Sequence, residues 1–255
     1  MKSFEDPFES PRLVLANART HLRTFEHGIH AFLDEQPWSG FVDNDRQSGE
    51  TLLKFRFTGK IPRSLSVVAF DVATNLRSVL DQAVYAAAVV VNGGDPKGTR
   101  FPFSDTVNGL DAEIRRIKRA PPEILDLIRG FQPYPAGNPV LWSLNKLRNR
   151  KNHVALIPIG ARAGSVGFGN GYIHHAEFSI CSEWDREKNE LTVCRIAPGA
   201  KMNLQISATF QIAIDGMVRP AVQILNRIAS EVEGILLALE AEALRVKANR
   251  THSPK

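Results

Sequence analysis

With only two cysteines, Cys181 and Cys194, in 255 residues, the chain lacks the material for the disulfide framework of a small secreted module. The opening segment MKSFEDPFES has no apolar core of the signal-peptide kind, so a reducing cytoplasm is the expected compartment. Long uncharged apolar runs are missing as well. The most apolar stretch, Ser64 to Asn92, is interrupted by Asp71, Arg77 and Asp81. It falls short of the roughly 18 or more uninterrupted apolar residues of a membrane helix, which predicts a buried helix and no membrane partner. Charge of one sign does not dominate either: 32 basic against 27 acidic residues leave a formal +5 spread along the chain, which permits an anionic partner without demanding one. No nucleophile elbow, Walker loop or zinc-protease motif is present, and no cofactor is implied.

What is present is strong periodicity. Leu15, Ala18, Leu22, Phe25, Ile29 and Phe32 recur at steps of three and four, which predicts one apolar stripe on a helix from about Arg12 to Glu35. Leu53, Phe55 and Phe57 alternate with Lys54, Arg56 and Thr58, the pattern of a strand with one buried face. A second helix is expected from about Pro62 to Val91, with apolar residues on two faces and hence a central position. The segment NGGDPKGTRFPF reads as an ordered loop, because Phe101 and Phe103 are costly to leave in water. Short helices follow near Asn108 to Lys118 and Pro121 to Arg129, then one carrying Leu141, Trp142, Leu144 and Leu147.

The later part of the chain predicts sheet. Phe178 and Ile180 alternate, as do Leu191 and Val193, and the polar WDREKN between them suits an antiparallel connection. The stretch Leu204 to Ile214 alternates throughout and ends at Asp215-Gly216. The glycine series GSVGFGNG is followed by strand residues rather than a helix N-terminus, which excludes a nucleotide-binding loop and predicts a flexible or bulged hairpin loop. Val218, Val222, Leu225, Ala229, Val232, Leu236, Leu239 and Ala243 form a heptad stripe on a last helix. That stripe suits packing inside the chain or self-association as a homodimer. The expected fold is α+β, an antiparallel helical bundle around a central long helix with an antiparallel sheet on one side. No linker is evident, so residues 1–255 read as a single domain with fraying tails at 1–11 and 246–255.

Two groups could carry chemistry. Arg77 and Asp81 lie four apart in aliphatic surroundings, either as a structural ion pair holding helices in register or as a wall of a polar pocket. Arg148, Asn149 and His153, in RNRKNH, bring an arginine, an amide and a histidine within one and a half helical turns. A histidine moves protons near neutral pH and an arginine stabilises charge on a phosphoryl group, so the grouping suits metal-independent RNA cleavage. The competing reading is a helix C-terminus at which Arg148, Arg150 and Lys151 complement the dipole, Asn152 caps and His153 packs beneath. His174, His175, Cys181 and Cys194 are the one set that could meet a zinc ion, but they lack CxxC or HxxxH spacing.

Several segments taken together, LRSVLDQAVYAAA, RFPF, IRGFQPY and the W-x-L-x-x-L helix that ends in a lysine-histidine element, resemble a family of bacterial proteins without an assigned activity. The likeness spans about Pro62 to Ile159 and implies a shared fold. The chain departs from that pattern at Lys151-Asn152-His153, where the family shows Asp-Lys-His, and at Gln82, where it shows histidine. The order Arg148-Asn149 and then His153 is also similar to the motif of HEPN domains, all-helical modules that include nucleases with paired motifs across a dimer. These observations predict a ligand- or partner-binding domain. The alternative is a HEPN-like ribonuclease in which His153 is the acid or base, Arg148 stabilises the transition state and Asn149 orients them, with RNA or another anion as partner.

Overall fold

The three-and-four spacing near the start of the chain becomes the buried face of helix α1 (Glu9–Asp34) in the computed structural model, which describes residues 6–148, 159–174, 177–199, 201–214 and 219–252. Strands β1 (Trp38–Asn44) and β2 (Thr51–Phe57) follow, then helices α2 (Arg63–Asn92), α3 (Val107–Arg116), α4 (Pro122–Gly130) and α5 (Pro139–Arg148). Strands β3 (Ile159–His174), β4 (Phe178–Asp185), β5 (Glu190–Ile196) and β6 (Lys201–Ile214) precede helix α6 (Ala221–His252). The fold is α+β with antiparallel pairing throughout. No helix among the described residues is long and apolar enough to cross a membrane.

The chain divides into two compact units. The first comprises Met1–Thr24, Val67–Leu156 and Gln223–Lys255 and is helical among its described residues. Here α1 and α6 run antiparallel, tied by Arg12 to Glu240 at 2.6 Å and by Arg19 to Glu233. The central position expected for α2 is borne out, because Val72, Leu76, Val79, Leu80 and Ala83 are all fully buried. Helix α3 starts at Thr106, whose side chain accepts a hydrogen bond from Gly109 N, and α5 starts at Asn138, whose Oδ1 accepts from Leu141 N at 3.0 Å. Asn138 Nδ2 also donates to Glu231 of α6 at 2.7 Å, so the cap fixes α5 against the last helix. Helix α6 remains helical through His252 with Val246 buried, and Phe8 is buried ahead of α1. Helical structure and buried side chains thus lie within both segments, 1–11 and 246–255, where fraying is expected from the sequence.

The second unit comprises Phe25–Ser66 and Ile157–Val222. Its four-stranded sheet has the order β1-β2-β5-β4, and β3 pairs with β6 as a separate two-stranded ribbon. One sheet is expected from the alternation; two are found. Strand β1 is also absent from that expectation, since WSGFVDN is half polar and lies on an edge where burial asks little of it. The glycine series, expected as a hairpin loop, is instead strand. Residues Ile159 to His174 pair along β6 with register shifts between Ala163 and Ser165 and between Gly169 and Tyr172. Glycines at these bulges let the backbone take an extra residue without losing the ladder. Phe57 sits at the hub of the unit, with ring centroids 5.2 Å from Trp184, 5.2 Å from Phe210 and 5.6 Å from Trp38. Phe32, on the end of α1, stacks on the same ring.

Candidate functional site

Helix α2 is apolar on most of its surface, so the paired charges Arg77 and Asp81 in its interior stand out. Arg77 and Asp81 project one turn apart and meet at 3.0 Å, and their side chains keep 12% and 37% of their full exposure respectively. Burying a guanidinium costs several kcal/mol unless partners replace its water. The partners come from the RFPF segment. Arg77 Nη2 donates to the carbonyl of Phe101 at 2.8 Å, and Phe101 N donates to Asp81 Oδ1 at 2.9 Å. The Arg77 guanidinium also lies over the Phe103 ring, 4.4 Å from its centroid, and the rings of Phe101 and Phe103 are 5.3 Å apart. A desolvated cation over an aromatic face is worth about 2 kcal/mol and a charge-assisted hydrogen bond about 1.5–3 kcal/mol, so these contacts are of the size needed to offset burial. The pair thus holds a loop rather than keeping two helices in register.

The offset is incomplete. Arg77 Nη1 is buried without a hydrogen-bond partner among the described residues. Burial pushes the Arg77 pKa below its ordinary value; Asp81 acts in the opposite direction, and the charges of Arg148 and Arg100 add to the lowering. Arg100, next to Phe101, is paired with Glu113 of α3 at 2.7 Å. Arg148, exposed on the last turn of α5, is close enough to act on the charge of Arg77. Arg148 and Arg100 thus add positive charge around the Arg77–Asp81 pair, and Glu113 answers that of Arg100. The physical chemistry favours an anionic oxygen there, because a guanidinium fork matches carboxylate and phosphate geometry.

Comparison with protein-family models, with curated proteins and with solved structures returned no match. The site accordingly rests on its own geometry.

Of the residues singled out in the sequence, the structure brings Arg77, Asp81 and Arg148 into one neighbourhood. Asn149 and His153 lie outside the described residues, as do Arg150, Lys151 and Asn152. Cys194 is buried on β5 and Cys181 partly so on β4; burial raises both thiol pKa values, the reverse of an activated nucleophile. Among the described residues no group of three or more His, Cys, Asp or Glu could hold a metal ion. Arg100 is the member of the site that the sequence reading misses. Its signal was its place beside the aromatics of RFPF, buried Phe101 and half-buried Phe103, which puts its backbone at the clamp.

Proposed function

We propose that the chain is a cytoplasmic binding module for a phosphate-bearing ligand, taken at the Arg77, Arg100 and Arg148 cluster. The observation that carries this reading is the buried Arg77 guanidinium, whose Nη1 has no hydrogen-bond partner among the described residues and which feels the positive charge of Arg148 and Arg100. A phosphate held by the exposed Arg100 and Arg148 would oppose the repulsion that their charges exert on Arg77. The free thiols of Cys181 and Cys194 are consistent with a reducing compartment.

The test is titration with inorganic phosphate and with a fluorescent single-stranded RNA, at several salt concentrations. Binding should weaken steeply with salt and fall at least tenfold in Arg148→Ala combined with Arg100→Ala, with the Tm of the free protein little changed because both side chains are exposed. Absence of binding to both probes, or full affinity in the double variant, would overturn the reading.

A second reading is supported by the nearness of Arg148 to Arg77, which gives the Arg-Asn-x-x-x-His order a second cation for a scissile phosphate. In this reading the protein cleaves RNA without metal, with His153 as acid or base, Arg148 stabilising the charge that develops on phosphorus and Asn149 orienting them. Cleavage in EDTA to 2′,3′-cyclic phosphate ends, lost in a folded His153→Ala variant, is the expected result. RNA that is bound and left intact would leave binding as the function.

A further inference from the structure

Helix α6 carries two stripes. The heptad stripe evident in the sequence points inward, with Leu225, Ala229, Val232, Leu236, Leu239 and Ala243 all buried, and is unavailable to a partner. The second stripe is exposed. It runs through Ser230, Gly234, Leu237, Ala241 and Leu244 at steps of four and three, with Leu237 and Leu244 retaining 56% and 55% of their full exposure. A side chain at Gly234 would meet open space. Two exposed leucines seven positions apart, in line with the small residues Ser230, Gly234 and Ala241, have the spacing of a coiled-coil seam.

We infer that a second copy of this chain docks on this stripe, α6 against α6 and antiparallel. Two features single out that occupant and that direction. With a two-fold axis level with residue 239, Leu237 faces the partner's Ala241 and Leu244 faces the partner's Gly234, so every knob meets a small residue. The flanking charges favour the same direction. Glu231 faces the partner's Arg245 and Glu233 faces the partner's Lys247, each twice by symmetry, which makes four pairs of opposite charge against one like pair, Glu240 with the partner's Glu240, whose charge Arg12 offsets within each chain. A parallel pairing would instead oppose Leu237 to Leu237 and Gly234 to Gly234, and would match only Glu240 with Arg245. The surface is self-complementary, as a two-fold contact requires. Each flanking pair is worth at most about 1 kcal/mol, so the charges set direction and the leucines supply the affinity. Glu233 already accepts from Arg19 and Glu231 from Asn138, which holds both carboxylates in place for the partner.

The test is sedimentation equilibrium of the full chain, with cross-linking to read direction. The wild type should be a dimer at tens of micromolar. Leu237→Lys combined with Leu244→Lys should be monomeric, with unchanged far-ultraviolet circular dichroism because both positions are exposed. Arg245→Glu combined with Lys247→Glu should weaken association at least tenfold through the charges alone. In a Cys181→Ser background, a short bis-maleimide should join two chains carrying Ala238→Cys, whose positions oppose each other in the antiparallel pair, and should fail with Gly234→Cys. A monomeric wild type, a dimer that survives the leucine substitutions, or efficient cross-linking at Gly234→Cys would overturn the proposal.

Discussion

Arg77 and Asp81, one turn apart on α2, together hold both backbone polar groups of Phe101: the guanidinium donates to its carbonyl and the carboxylate accepts from its N–H. Because the two side chains are also paired with each other, each depends on the other for its geometry. A loop twenty residues further along the chain is thereby fixed to the middle of the central helix.

That interdependence is open to a double-mutant cycle. Asp81→Ala leaves a buried guanidinium without its carboxylate and should lower the unfolding free energy by about 2–4 kcal/mol, toward the lower end because Asp81 is partly exposed. Arg77→Met combined with Asp81→Ala should cost less than the sum of the single changes by at least about 0.5 kcal/mol. Urea unfolding followed by circular dichroism reads both. Strictly additive losses would mean that the two residues act separately.

In the second unit, Gly160 of β3 lies against the indole of Trp184, and an added Cβ would come within 2.6 Å of Cδ1. Gly160→Val should therefore destabilise by about 1–3 kcal/mol through overpacking and shift the tryptophan emission. Phe57→Ala, which empties the hub of the aromatic cluster, should cost more, about 3–5 kcal/mol. A neutral Gly160→Val would show that β3 can move away from β4.

Acid should weaken the four-stranded sheet. A hydrogen bond from Lys54 holds Asp43 below the ordinary carboxylate range, and one from Arg195 does the same for Glu183. Groups with a depressed folded pKa contribute stability that is present above the unfolded value, about 4, and is lost as pH falls through the folded value. The urea midpoint should be flat above about pH 5 and fall below about pH 4. Arg195→Gln should make the acid slope shallower, and an unchanged slope would remove Glu183 from the account.

Much of this architecture was written in local periodicity. The inward faces of α1, α2 and α6 follow from apolar spacing, because a side chain's direction on a helix or strand depends only on its position along that element. The nearness of Arg77 to Asp81 follows in the same way, from four residues of helix. Tertiary structure decided what those elements meet. That the pair serves Phe101, that Arg148 reaches the same neighbourhood from α5, and that β3 leaves the main sheet to pair with β6 depend on contacts between distant segments, which no short window of sequence encodes. The same holds for α6. Its sequence contains two heptad stripes, and only burial against the rest of its unit distinguishes the one that fills the core from the one that faces solvent.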